Sequence, residues 1–325
     1  MKIITSQKLF DKYPGHQDEI NALLKALTTN VVVLPMPDYM GTKMECAKTN
    51  ESILIVGNDD VIPFPTLPNP AQDPDNIVWS DNAYAAFKDQ TCLMPDKIIA
   101  RIPDEMLNPS FDYLKTVLTN QAAWMTNKTS NTGWYNIVTQ AWVNISNYMK
   151  NQFQMNDQNI APPTNPSSTP KLETIKKFAY VNLHGAQQTP YYYGQNGSTY
   201  PIAIEPTAGN FAGCLMFIEA CYGGYVLNRN KELSTPMMAL YSNAVGTISS
   251  TTVAYGPSSA PPQAADLLAQ CFYTRIIAGD TLGQALLTAK QDFATQTIKQ
   301  FGSLNGSSRK SLLQFHLYGN PDIKL

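Results

Sequence analysis

The chain has 325 residues, 43% of them hydrophobic and only 15% charged, with a formal net charge of −2. That apolar content suffices for one large domain or two subdomains, while the weak charge gives no basic field of the kind nucleic-acid binding needs. No stretch is apolar enough for long enough to span a bilayer, so neither nucleic acid nor a membrane is an expected partner. Short apolar runs alternate with longer amphipathic ones, the pattern of an α/β protein with a mostly parallel sheet. In chain order, strands are expected at 30–36, 52–57, 97–103, 135–142, 178–183, 214–220 and 244–251. These runs are continuously apolar, so both faces of the sheet should be covered. Helices are expected at 16–27, 110–125, 235–242, 264–278 and 282–300. In the fourth of them Leu267, Leu268, Cys271, Phe272 and Ile276 recur at three- and four-residue spacings, as one buried face requires.

Two segments interrupt this pattern. "NIAPPTNPSSTPK", Asn159 to Lys171, is dense in Pro, Ser, Thr and Asn and reads as an exposed loop. "PFPTLPNPAQDPD", Pro63 to Asp75, has the same turn-rich character and follows the second predicted strand. We divide the chain into an N-terminal α/β subdomain, 1–128, and a second subdomain, 129–325.

The first twenty residues lack the apolar core of a secretory signal, and five cysteines leave at least one free thiol. The expectation is a cytoplasmic protein or one exported by a specialised route. Cys46 and Cys92 show no metal-ligand spacing, and Cys214 and Cys271 read as core residues. Asp59 and Asp60 follow a strand, where turn chemistry is more economical than a Ca²⁺ site, so no cofactor is expected. His16 reads as part of a helix start and His316 as a packing residue.

The chemistry concentrates in two places. "YVNLHGAQQ", from Tyr180, ends an apolar run on His184 and Gly185, and the next strong apolar run ends "FIEACYGGY", with Cys221 ahead of a Gly-Gly pair. Two consecutive strands thus present an imidazole and a thiol at one C-terminal edge, where open α/β sheets place their sites. Gly185, Gly223 and Gly224 permit the sharp backbone needed to aim N–H groups at a developing oxyanion. The aromatic cluster of "YYYGQ", Tyr191 to Tyr193, either lines the cleft or covers a core edge.

In this arrangement the chain resembles the caspase-like (clan CD) cysteine peptidases, and among them the gingipain-type family C25. The resemblance rests on "ILIVGNDDVIPF" from Ile53, "SDNAYA" from Ser80, "DKIIARIPD" from Asp96, "NLHGA" from Asn182, "EACYGG" from Glu219, "AVGTISSTTVAYG" from Ala244 and "LYGNPDIKL" from Leu317. Leu183 stands where the family often has Gly before the His, and Asn320 replaces its terminal Asp. The resemblance implies a three-layer α/β/α sandwich and a cysteine endopeptidase acting on protein or peptide substrates by limited proteolysis. It implies a Cys221–His184 dyad and an oxyanion hole from the N–H groups of Gly185 and Cys221. It also implies that Glu219, two residues before the nucleophile, shapes the P1 pocket. Glu219, joined by Asp81, would select Arg or Lys; the competing reading ties Glu219 to its own loop as a brace. Ser249, Ser250 and Thr252 are expected to pair with substrate backbone as with an added strand. With a basic P1 preference, Lys171 makes the 159–171 loop a candidate processing site. The rival functions are an inactive scaffold of the same fold that binds proteins, and a peptide ligase or transamidase using the same acyl-enzyme.

Overall fold

The computed structural model describes residues 1–156, 158–162 and 176–325. Its centre is a ten-stranded sheet. The strands are β1 (Lys2–Ser6), β2 (Val31–Leu34), β3 (Ile53–Val56), β4 (Ile99–Ile102), β5 (Trp134–Thr139), β6 (Asn159–Ala161), β7 (Phe178–Asn182), β8 (Leu215–Glu219), β9 (Gly246–Ser250) and β10 (Phe315–Tyr318), in the spatial order β2-β1-β3-β4-β10-β9-β8-β7-β5-β6. Every neighbouring pair is parallel except β9 and β10. Because β10 lies parallel to β4 and antiparallel to β9, strands β1–β4 run opposite to β5–β9. The chain's last strand therefore joins two oppositely directed halves, and helices cover both faces in a three-layer α/β/α sandwich with two subdomains.

Alternation along β8 shows how the layers form. Leu215 and Phe217 pack into one apolar cluster with Phe272 and Tyr273, whereas Met216 and Ile218 join a second with Ala239 and Ala244. Both sets are fully buried, which explains the continuous apolar run. The helix Ala264–Ile277 lies on the Phe217 side and buries the predicted Leu267, Leu268, Cys271, Phe272 and Ile276.

All seven expected strands and all five expected helices are present. Three sheet strands lie outside those expectations: β1, β6 and β10. Asn159–Ala161 corrects the loop expectation at its start, because it adds to β5 as a parallel edge strand; an edge is where a Pro-rich segment can end a sheet. Residues 163–171 lie outside the described residues. The other turn-rich stretch forms a hairpin, Thr66–Pro68 against Ile77–Trp79. Among the described residues, no helix is long and apolar enough to cross a membrane.

Candidate active site

Strands β7 and β8 are in parallel register from Leu215 opposite Phe178 to Glu219 opposite Asn182. His184 and Cys221 each follow two residues beyond the last pair, on neighbouring strands about 4.8 Å apart. The backbone contact is close: a side chain at Gly185 would overlap the carbonyl oxygen of Cys221, so only glycine fits after the histidine.

His184 is fixed through both backbone and ring. Its N–H donates to Tyr193 O (2.9 Å) and its carbonyl accepts from Tyr193 N (2.8 Å), so the "YYY" run serves as the strand partner of the histidine. The ring packs 4.4 Å from Trp142 and edge-on 5.1 Å from Tyr200, centroid to centroid. Nε2 lies 2.9 Å from Gln195 Oε1, and the Gln195 amide nitrogen donates to Gly197 O at 3.1 Å. That second bond orients the amide with oxygen toward the ring. Nε2 therefore carries the proton and Nδ1 the lone pair of the neutral imidazole. Burial pulls the imidazole below its ordinary value, and the Gln195 bond opposes this in part.

Cys221 is half-buried, whereas the other four cysteines are buried; all five are free thiols. Burial raises its thiol, and nearby Asp75 adds to the rise while Lys310 opposes it. Sγ lies 3.7 Å from Ala254 O. Among the described residues no hydrogen bond joins Cys221 to His184. The next residue, Tyr222, has φ 56°, a left-handed backbone that a bulky residue holds only under constraint.

The constraint comes from the chain beyond β9. Tyr222 N donates to Thr252 O (2.9 Å) and Gly224 N to Ser250 O (2.6 Å), while Ser250 Oγ donates to Ala220 O (2.6 Å). Thr252 Oγ1 donates to Gln314 Oε1 (2.6 Å), and a side chain at Gly224 would sit 2.7 Å from Ser249 Oγ. Ser249, Ser250 and Thr252 are all fully buried. Ser250 and Thr252 thus brace the loop that carries Cys221, with their carbonyls already engaged, and Ser249 packs against Gly224.

Glu219 and Asp81, paired in the sequence reading, are apart. Both Asp81 carboxylate oxygens are held by Arg101, at 2.8 and 2.6 Å, in a pair buried on both sides. A buried guanidinium demands such a partner. The companion of Glu219 is Asp266, from the first turn of the helix Ala264–Ile277. Tyr180 Oη contacts Glu219 Oε2 and Asp266 Oδ1, each at 2.7 Å, and Asn182 Nδ2 donates to Asp266 Oδ1 at 3.2 Å. The remaining oxygens, Glu219 Oε1 and Asp266 Oδ2, accept from no other donor; the two carboxyls engage each other, and a side chain at Gly256 would overlap both oxygens. Burial and mutual repulsion push Glu219 far above the carboxylate range, and burial pushes Asp266 up as well, as for two carboxyls sharing one proton.

Elsewhere, Asp59 accepts from Phe64 N (2.6 Å) and Asp60 pairs with Lys12 (2.7 Å), so both have structural roles. Among the described residues no cluster of three or more His, Cys, Asp or Glu is disposed to hold a metal ion. His316 is buried against Trp79 O, and His16 stacks on Phe111 at 3.8 Å. Sequence reasoning missed Gln195, Trp142, Asp266, Asp73, Asp75 and Lys310, all near the site. Only Asp73 and Asp75 had a visible signal, two carboxylates in a turn-rich stretch.

A search of solved structures finds the Arg-specific cysteine proteinase gingipain R (RgpB), with TM-score 0.67 at 15% identity, covering 100% of this chain and 78% of that one. This chain has the gingipain fold. The complex of Porphyromonas gingivalis RgpB pro- and mature domains matches with TM-score 0.66 at 14% identity over 99% of this chain and 79% of that one. A further protease structure matches with TM-score 0.63 at 13% identity over 100% of this chain and 78% of that one. Neither a scan against protein-family models nor a search of curated proteins finds a match. The shared architecture therefore stands on structure alone: a caspase-like sandwich of the gingipain type, at low sequence identity.

Proposed function

We propose that the protein is a cysteine endopeptidase in which Cys221 is the nucleophile and His184 the general base and acid. What carries this reading is the placement of the two residues on adjacent parallel strand ends, with Gly185 packed on the Cys221 carbonyl. His184 Nδ1 takes the Sγ proton, the thiolate attacks the peptide carbonyl carbon, and the oxyanion forms between the N–H groups of Gly185 and Cys221. Among the described residues neither N–H donates to a backbone carbonyl, so both are available; one such donor is worth about 10²–10³ in rate. The imidazolium then protonates the amine as the C–N bond breaks. Water, deprotonated at Nδ1, hydrolyses the thioester.

The P1 preference we propose is basic, on the strength of the paired carboxyls of Glu219 and Asp266, bridged by Tyr180 beside the Cys221 loop. Both residues are buried, so a guanidinium or ammonium would replace the shared proton as the Gly256 segment moves aside to admit it. Gly256 is the residue across the pair, where any side chain would collide with them.

Fluorogenic peptides varied at P1, offered to wild type and Cys221→Ala, test both parts. Arg and Lys peptides cleaved only by wild type support the whole reading. Cleavage after Asn or Asp keeps the nucleophile and removes the acidic pocket. No cleavage by wild type favours a protein-binding scaffold, and transfer to an added amine favours a transamidase.

A further inference from the structure

We infer that Asp75, held by Lys310, is a positioning residue for Cys221, contributed by the N-terminal half of the chain through the Thr66–Trp79 hairpin. The inference rests on the assignment of Cys221 as nucleophile. Two backbone segments wall the thiol: Tyr222, in its left-handed conformation, and Val253–Tyr255, whose Ala254 carbonyl faces Sγ. Asp75 holds both. Tyr222 Oη donates to Asp75 Oδ1, and Val253 N donates to Asp75 Oδ2 at 2.9 Å. Asp73 adds a second grip, accepting from Tyr255 Oη.

The two aspartates are fixed in turn by one cation. Lys310 Nζ lies 2.5 Å from Asp75 Oδ2 and 2.7 Å from Asp73 Oδ2; the lysine side chain is 0% exposed and each aspartate 6%. The loop is also closed internally, since Asn69 Nδ2 donates to Asp73 Oδ1 and Asp75 O, both at 2.8 Å. So deep an arrangement is little screened by salt. A hairpin loop from one half of the molecule, a lysine from its last helix and the nucleophile loop from the other half thus meet beside a single thiol. A displacement of one ångström at a reacting atom can cost about 10² in rate, so this clamp has leverage on turnover without touching substrate.

The test is a pair of readouts on the full-length protein: kcat and KM, and the rate of iodoacetamide alkylation of Cys221 against pH, followed by mass spectrometry. The titratable groups about the thiol are Asp75, Lys310, Glu219, Tyr222 and Tyr255, with His184, the proposed base, on the neighbouring strand end. Asp75→Asn should lower kcat about 10- to 100-fold with KM little changed. It should also move the alkylation profile to lower pH, because a negative charge beside the thiolate is gone. Lys310→Met should lower kcat too but move the profile the other way, a split that a purely structural defect would not give. Tyr222→Phe, which removes one hydroxyl, should lower kcat with thermal stability retained, and it carries the test if either charge variant fails to fold. Wild-type kcat and an unmoved profile in folded Asp75→Asn or Tyr222→Phe would overturn the inference. If wild type cleaves no peptide but the profiles shift as stated, the clamp stands and the peptidase reading falls.

Discussion

The protonation of three side chains sets what this site can do. In the proposed mechanism His184 must be neutral to accept the thiol proton, and burial holds it below its ordinary value near 6.5. The acidic limb of kcat/KM should therefore fall below pH 6.5, and a limb above that value would show that the imidazole is not the base. The buried acid pair makes an opposite prediction for stability. Its carboxyls keep a proton in the folded state at pH values where the unfolded chain has released it. The folded protein then binds more protons, and stability is lost as pH rises from about 4, where carboxylates ordinarily ionise. Asp266→Asn supplies a permanent amide donor to Glu219 and should flatten the melting temperature between pH 4 and 8. Parallel wild-type and variant curves would refute the shared proton. At this scale the strand-end positions of His184, Gly185, Glu219 and Cys221 were legible, because each sits in a short motif that closes an apolar run. It was not legible for Asp266, whose role comes from a helix packed over β8, nor for Asp81, whose partner Arg101 is a side chain that only the sheet brings near.

Among the elements, strands that are continuously apolar runs bounded by polar or turn residues announced themselves, as "CLMFIEA" and "SILIVG" did. Those that failed to do so are short of apolar residues or merge with a neighbour. β1 ends in Thr5 and Ser6, whose hydroxyls donate to Val56 O and Val61 O, both at 2.7 Å, so polar residues occupy a buried strand. β10 follows the helix Gly306–Gln314 without a break, and no turn marks the change of period. The strand-end turns are where sequence and geometry agree most tightly. Gly185→Ala should place a methyl on the Cys221 carbonyl, destabilising the protein by about 1–3 kcal/mol and abolishing peptide cleavage. An active, fully stable variant would mean that the His-Gly turn and the nucleophile are not packed as described.

Across the whole molecule, the two halves are joined where β10 inserts between β4 and β9, and the Asp81–Arg101 pair lies at this junction. Arg101 is opposite Tyr318 in the register and also donates to Gly57 O and Ile62 O, at 2.8 and 3.0 Å. Asp81→Asn leaves that guanidinium buried without its counter-ion, a loss of about 3–5 kcal/mol for buried pairs. Urea unfolding should show it as a lower midpoint, and an unchanged midpoint would remove the pair from the account. The alternation of strands and helices made the α/β class readable from the sequence. The reversal of direction between the halves was not readable, since it depends on where a four-residue C-terminal strand docks.

Everything proposed for the site turns on Cys221 acting as a nucleophile toward peptides with a basic P1 side chain. The most direct measurement is intact-mass analysis after treatment with a peptidyl acyloxymethyl ketone bearing Lys or Arg at P1. One adduct, mapped to Cys221 and absent from both Cys221→Ala and His184→Ala, is the predicted result. No adduct, or labelling that persists in Cys221→Ala, would contradict it.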